Sequence, residues 1–244
     1  MTFTLADVAP LHQFSRIVAF TGAGVSAAAG LGTFRGAGGL WTASPDVELA
    51  MQSRALPGNL PQLWDVWGGI RRRALVAGPT AAHVALRAAG AQVITQNVDG
   101  LHQDAGSSAV LELHGSAART ACLKGCGYRG PLDAVSDTPE GQIPRCPQCD
   151  GPLRPDVVLY GEALDPDVWE ASAEAAYEAD LFLAIGTSAL VTPANHLAPI
   201  AKEGGALVVH VNLDEHVGGF VDPFDAKVIG DCQATLPAWV QARS

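Results

Sequence analysis

Seven short apolar runs, at 17–20, 92–95, 110–113, 157–160, 181–185, 207–211 and 227–229, constrain the fold of this 244-residue chain more than any other feature. Each has the length of a strand, and several end in Gly, Asn, Asp or Ser. Ala-rich stretches of helical character, such as 80–89 and 167–179, lie between them. Strands alternating with helices predict a parallel sheet covered by helices on both faces. Ligands of such sheets sit beyond the carboxyl ends of the strands, so the residues that follow each run are the first candidates for chemistry.

Two segments break the rhythm. Residues 37–78 carry Trp41, Trp64 and Trp67 and read as a loop followed by helices; residues 118–154 are rich in Cys, Gly and Pro and have little periodicity. Both read as insertions. The predicted fold class is therefore α/β: a Rossmann-like domain built from 1–36, 79–117 and 155–244, plus a small domain made of the helical insertion 37–78 and the insertion 118–154.

Four of the five cysteines fall in two close pairs, Cys122 and Cys126 in CLKGC and Cys146 and Cys149 in CPQC. Two such knuckles about twenty residues apart have the arrangement of a zinc ribbon, whose four thiolates close a tetrahedral shell around one structural Zn2+. Disulfides are the alternative. The N-terminal stretch MTFTLADVAPLHQFSR has no basic start followed by an apolar core, so the expected compartment is the cytoplasm, where disulfides are rare. Cys232 stands alone and reads as a small buried residue.

The run 17–20 leads directly into TGAGVSAAAGLGTFRG, in which Gly22, Gly24 and Ala27 satisfy the relaxed pattern Gly-x-Gly-x-x-Gly/Ala. That pattern aims backbone amides and a helix start at a pyrophosphate. A dehydrogenase would continue with a second strand ending in an acidic residue about twenty positions on, but GLGTFRGAGGLWTASPDVELA is no strand. Polar clusters follow other runs: TQNVDGLH after 92–95, GTSALVTPAN after 181–185 and NLDE after 207–211, with His114 of ELHGS after 110–113. Each alone reads equally as a helix cap, a turn or a structural histidine; together they line one edge of one sheet.

A formal net charge of -10 argues against nucleic acid as a partner and suits a cationic one such as a lysine-rich peptide. Hydrophobic residues at 48% and charged residues at 16% give a globular balance. No apolar stretch approaches the roughly 20 residues of a membrane span. The one basic run, Arg71-Arg72-Arg73, reads as a solvated helix side.

Taken in order, GAGVSAAAGLGTFRG, GGLW, TQNVDGLHQDAG, LHGS, the four cysteines, LRPDVVLYGEAL, GTS with VTPAN, and VNLD resemble the sirtuins, the NAD-dependent protein-lysine deacylases, and cover essentially the whole chain. In that family the acyl oxygen of a modified lysine attacks the anomeric carbon of the nicotinamide ribose and nicotinamide leaves. A ribose hydroxyl then captures the O-alkylimidate, giving free lysine and O-acyl-ADP-ribose. The resemblance implies that Phe34 covers the reaction face, with Thr33 and Arg35 in the loop that closes over NAD. Gln96, Asn97 and Asp99 would position ribose and nicotinamide, and His114 would act as general base on a ribose hydroxyl. By the same matching Gly22, Ala23, Gly24 and Ser26 contact the pyrophosphate, and Gly186, Thr187 and Ser188 the ribose and phosphates. Asn212, Leu213 and Asp214 hold the adenosine end, with Cys232 against the adenine. Val157, Val158, Tyr160, Gly161 and Glu162 resemble the edge on which an acyl-lysine peptide pairs as an added strand.

The match has departures. Sirtuins that take succinyl or malonyl lysine carry a Tyr-x-x-Arg pair, whereas VWGGIRRRA offers Arg71 as a substrate residue but Gly68 at the tyrosine position. A carboxylate reader is thus incomplete, and deacetylation is the expected activity. Trp67 reads as core. Gly32 and Ala28 stand where proline and glutamate are common, and Gly32 implies a cofactor loop with more backbone freedom to lose on binding NAD. Two other readings use the same residues: ADP-ribose transfer to protein or water, and a non-catalytic NAD- or ADP-ribose-sensing module. His114 favours deacylation, because capture of the imidate needs a base. A monomer acting on acyl-lysine proteins or peptides, with no membrane or nucleic-acid partner, completes the expectation.

Overall fold

The computed structural model describes residues 4–33, 44–132, 141–188, 191–214 and 222–242. Among them nine strands form two sheets: β1 (Ile17–Thr21), β2 (Gln92–Thr95), β3 (Val110–Glu112), β4 (Gly115–Cys122), β5 (Arg129–Pro131), β6 (Leu153–Val157), β7 (Leu181–Ile185), β8 (Leu207–Asn212) and β9 (Ala226–Ile229). Six of them make a parallel sheet in the order β3-β2-β1-β7-β8-β9. The other three make an antiparallel sheet in the order β5-β4-β6.

The central strands are apolar throughout because both faces are covered, and the two-residue period divides them between two cores. Ile17, Ala19, Leu181, Leu183, Val209 and Val211 face the helices Ala81–Ala88 and Cys232–Gln241. Val18, Phe20, Phe182, Ala184 and Val208 face the helices Pro166–Glu178 and Leu197–Glu203, with the Phe20 and Phe182 rings 6.0 Å apart. Helix starts follow from their caps: the Asp165 and Asp231 carboxylates accept the Asp167 and Gln233 N–H groups. The Trp239 indole N–H donates to the Ala9 carbonyl at 2.7 Å and ties the two ends of the chain together.

A third core lies between the helical insertion and the small sheet, with Met51, Leu63, Trp67, Ile70, Ala117 and Val157 buried in it. Trp67 is core, as the sequence suggests. Trp64 links the same two parts by donating its indole N–H to the Leu153 carbonyl at 3.1 Å. One expected strand is corrected. The run 157–160 is not part of the parallel sheet; β6 ends at Val157, and the chain then leaves to pair Tyr160 with the Met51 carbonyl and the Ser53 N–H. The cause is legible in LRPDV, whose alternating burial is that of a strand with one covered face. The small sheet therefore runs from Gly115 to Val157 and straddles the boundaries expected at 117/118 and 154/155.

The chain adds β2 and β3 on one side of β1 and β7, β8 and β9 on the other, so the switch point lies between β1 and β7. There the backbones touch. The Gly22 and Gly24 N–H groups donate to the Ile185 and Gly186 carbonyls at 3.0 and 2.9 Å. A Cβ on Gly24 would stand 2.7 Å from the Gly186 Cα, and Gly186 itself adopts φ +58°. The segment Ala23–Ala29 that follows is a 3-10 helix. Gly24→Ala is expected to destabilise the protein by about 1–3 kcal/mol, the usual range for overpacking against backbone. Urea unfolding of the variant measures it; an unchanged midpoint would show that the two turns can part freely.

Candidate active site

The ends of β1 and β2 are joined by hydroxyls: Thr21 Oγ1 donates to Thr95 Oγ1 at 2.9 Å, and Thr95 Oγ1 accepts the Asn97 N–H at 3.0 Å. Asn97 Nδ2 then donates to the Gly22 carbonyl and to Ser26 Oγ, both at 3.1 Å. Ser26 Oγ donates to Asp99 Oδ2 at 2.7 Å, and Asp99 Oδ1 accepts the Leu101 N–H at 2.9 Å. Ser26, Asn97 and Asp99 are 2%, 5% and 5% exposed. Burial raises the Asp99 pKa, opposed by the hydrogen bonds from Leu101 and Ser26 and by the nearby Arg71 charge.

Behind this cluster lie two histidines that sequence reasoning did not single out. His83 Nδ1 accepts the Thr80 N–H at 3.2 Å, which leaves the proton on Nε2, 3.5 Å from Ser26 Oγ. His102 Nε2 lies 3.0 Å from Thr21 Oγ1, and the two rings meet edge to face at 4.5 Å. Burial pushes their pKa values down to about 4 and about 3. The available signal was Thr80, which caps the helix with a histidine at the third helical position where Glu or Gln usually stands.

His114 sits where β3 hands over to β4. Its Nδ1–H donates to the Gln96 carbonyl at 3.0 Å, so Nε2 carries the free lone pair, and burial holds its pKa below the ordinary histidine value. Gln96 Nε2 donates to Thr187 Oγ1 at 2.7 Å, joining the end of β2 to the turn after β7. The Thr187 carbonyl accepts from Asn212 Nδ2 and lies 3.3 Å from His210 Nε2, which brings in the end of β8. The four strand-end clusters thus meet in one connected network. A cleft between the segments that follow β1 and β2 is lined by Ala23, Ser26, Leu31, Gly32, Asn97 and Asp99. A larger one of about 230 Å³, lined by Arg16, Gln92 and Glu178 among others, lies at the opposite ends of β1 and β2, away from every one of these groups.

The remaining expected residues divide. Thr33 is half-buried beside the cleft residue Gly32, whereas Phe34 and Arg35 lie outside the described residues. Gly32 adopts φ +72°, a conformation closed to proline, so glycine here supplies a left-handed turn as well as freedom. Ser188 is half-buried, Asn212 and Leu213 are joined by a side chain to backbone hydrogen bond at 3.0 Å, and Asp214 is exposed. Cys232 is buried with Sγ 3.8 Å from the Gly24 carbonyl, and burial pushes its thiol up to about 11, so it is not a nucleophile. Arg71 does not stand free to meet a substrate. Its guanidinium is bound to Asp104 and to the Asp99 carbonyl.

The segment after β6 is braced from within. The Val158 N–H donates to the His114 carbonyl at 2.9 Å. Arg154 donates to the Val157 carbonyl and pairs with Glu162, whose Oε2 accepts the Leu159 N–H at 2.8 Å. Tyr160 pairs with the helical insertion, and Gly161 turns the chain with φ +89°. The sulfurs of Cys122, Cys126, Cys146 and Cys149 all lie within 4.8 Å of one another. The Cys122–Cys149 and Cys126–Cys146 separations are 3.5 and 3.6 Å. Zn–S bonds of about 2.3 Å demand tetrahedral edges of about 3.8 Å, so the four thiolates fit one structural Zn2+.

Residues 22–193 match the model of the Sir2 family. The chain is 45% identical to NAD-dependent protein deacylase 2 of Pyrobaculum aerophilum over 96% of its own length and 94% of that protein. It is 42% identical to NAD-dependent protein deacylase 1 of Pseudomonas aeruginosa over 81% and 82%. Among solved structures it superposes on a Sir2 homologue in complex with NAD with a TM-score of 0.84, at 33% identity over 96% of this chain and 91% of that one. On a Sir2 variant with a deacetylated p53 peptide and 3'-O-acetyl-ADP-ribose the TM-score is 0.82, at 28% identity over 98% and 97%.

The buried histidines make the site acid-sensitive. Above pH 6.5 both the folded and the unfolded chain keep His83 neutral. As the pH falls from 6.5 towards about 4 only the unfolded chain takes up the proton, so stability is lost across that window, by about 3 kcal/mol. Denaturant unfolding from pH 7 to pH 4 is expected to give a steeper loss for the natural protein than for His83→Gln. Parallel curves would mean that His83 titrates normally in the fold.

Proposed function

The chain belongs to the Sir2 family and is an NAD-dependent protein deacylase, and on that premise we propose that the network joining Ser26, Asn97, Asp99, Gln96 and His114 is its reaction centre. One observation carries the assignment. His114 is anchored through Nδ1 to the Gln96 carbonyl, and the Gln96 side chain reaches Thr187, so a base with a free Nε2 sits between the turns at the ends of β2 and β7. Asn97 and Asp99, buried and oriented by Ser26, line the cleft beside Ala23 and Gly32 and are suited to hold the ribose and nicotinamide of NAD.

His114 then works as follows. Once the acyl oxygen of the modified lysine has displaced nicotinamide, Nε2 takes the proton of a ribose hydroxyl, whose oxygen adds to the imidate carbon. The ring starts neutral because burial lowers its pKa, and it needs no prior deprotonation at neutral pH. Gly22, Ala23 and Gly24 take the pyrophosphate, and Thr33, Phe34 and Arg35 belong to the loop expected to close over NAD. Gly186, Thr187 and Ser188 take ribose and phosphate. Asn212, Leu213, Asp214 and Cys232 take the adenosine end. Ser26 turns its hydroxyl towards Asp99, which supports a positioning role more than a phosphate contact.

A Sir2 homologue crystallised with a p53 peptide and NAD supports peptide substrates, with Val157, Val158, Tyr160, Gly161 and Glu162 as the docking edge. Acetyl-lysine is the preferred substrate, since Arg71 is occupied within the chain. The division into a Rossmann-like domain and a small domain follows the two sheets, with the small sheet extending from Gly115 to Val157. Four cysteines clustered as metal ligands, with Cys232 buried, support a reducing compartment, the cytoplasm. No helix among the described residues is long and apolar enough to cross a membrane.

Mass spectrometry of reactions with NAD and matched acetyl-, propionyl- and succinyl-lysine peptides is expected to detect O-acetyl-ADP-ribose as the main acyl product. His114→Ala should slow its formation by about 10²–10⁴-fold. The acidic limb of the rate profile should fall below pH 6.5, because protonating His114 removes the base and its pKa is lowered. NAD consumption without an acyl adduct, or ADP-ribose on protein, would instead assign the site to hydrolysis or transfer.

A further inference from the structure

Arg71 belongs to the helix Gly69–Ala77 of the insertion, yet its side chain, 12% exposed, ends on the turn after β2. Nη1 donates at 2.7 Å to the Asp99 carbonyl and at 2.7 Å to Asp104 Oδ2, while Nη2 reaches Asp104 Oδ1 at 3.4 Å. Gly100 makes room for this. It adopts φ +81°, and a Cβ there would stand 2.8 Å from Nη1 and 3.2 Å from the guanidinium carbon, so the cation lies against the turn where any other residue would carry its side chain. Asp104 is anchored to the same turn through its N–H, which donates to the Gly100 carbonyl at 3.0 Å.

We propose that Arg71 is a positioning residue: locked by Asp104, its guanidinium holds the Asp99 carbonyl and so fixes the turn that presents Asn97 and Asp99 to NAD. The inference rests on the assignment of Asn97 and Asp99 to the NAD cleft. It accounts for every acceptor of Asp99, since Ser26 and Leu101 hold its two carboxylate oxygens and Arg71 holds its carbonyl. It also makes the insertion part of the cofactor site, because Ile70, the neighbour of Arg71, is buried in the third core and carries the arginine with it. A carboxylate on an incoming acyl group would have to displace Asp104, which is covalently attached and already in place.

The test is calorimetric binding of NAD to the zinc-loaded protein without peptide, together with steady-state kinetics on acetyl- and succinyl-lysine peptides. The variants are Arg71→Met, Arg71→Lys, Asp104→Asn and Asp99→Asn. Arg71→Met is expected to weaken NAD binding and raise its KM by about tenfold or more, the scale of a lost charge-assisted hydrogen bond. KM for peptide should stay within about twofold. Arg71→Lys should recover part of the loss, and Asp104→Asn should weaken NAD binding in the same direction but less. Unchanged NAD affinity in a folded Arg71→Met or Asp104→Asn protein overturns the proposal; if Arg71→Met does not fold, Asp104→Asn decides alone. Succinyl-peptide turnover gained by Asp104→Asn at constant NAD affinity also overturns it, because Arg71 would then be reading substrate. Normal NAD affinity in Asp99→Asn would instead remove the cleft assignment on which the proposal stands.

Discussion

Everything in the site hangs on the contact between two backbones at the switch point of the parallel sheet. Gly24 and Gly186 approach until only hydrogens fit between their Cα atoms, and each would clash with the other if it carried a side chain. A Gly-x-Gly turn is usually explained by the phosphate it approaches. Here the first demand on the glycines comes from the protein itself. With the two turns in contact, Gly22 can accept from Asn97 on one side, and Thr187 can receive Gln96 on the other. Four strand ends then form a single surface.

That surface places its polar groups in a dry interior. Asp99 tends towards protonation by burial while two donors and Arg71 pull it back, and the result is a carboxylate whose orientation is overdetermined. His83 and His102 behave differently. Desolvation outweighs the Asp104 charge that favours protonated His83, so they serve as neutral hydrogen-bonding groups, and the Thr80–His83–Ser26 contacts transmit the geometry of a helix cap to Asp99. His114 is less buried than either, and its Nδ1–H is claimed by a carbonyl, which leaves Nε2 to accept.

What was legible in the sequence follows from this division. The parallel strands stood out because their two faces are covered, so IVAF and LFLAI are apolar without interruption. The small sheet did not. In GSAARTAC the polar Arg119 pairs with Glu112 and Asp156, partners that no local pattern reveals, and LRPDV hides behind an arginine, a proline and an aspartate. The candidate residues after each strand were readable as a set of polar groups at one edge, and their roles came from resemblance to a family. Their mutual bonds were not readable, because Ser26 finds Asp99 and Arg71 finds Asp99 and Asp104 only after segments distant in sequence have packed.

The same packing ties the cysteine cluster to the candidate site. Cys122 ends β4, whose first residue, Gly115, follows His114, and the turn that carries Cys146 and Cys149 runs straight into β6. β4 and β6 are paired from Gly115 with Val157 to Cys122 with Leu153, so the cysteine cluster fastens one end of a ribbon whose other end lies beside His114. Beyond Val157 the Arg154–Glu162 brace continues that order into the proposed peptide edge. A loose cysteine cluster would free Leu153, then the ribbon, and finally the Val158 N–H that holds the His114 carbonyl. On the proposed reaction centre, a structural zinc with a closed shell would support the chemistry from a distance, by holding the far end of the β4–β6 ribbon that leads to His114.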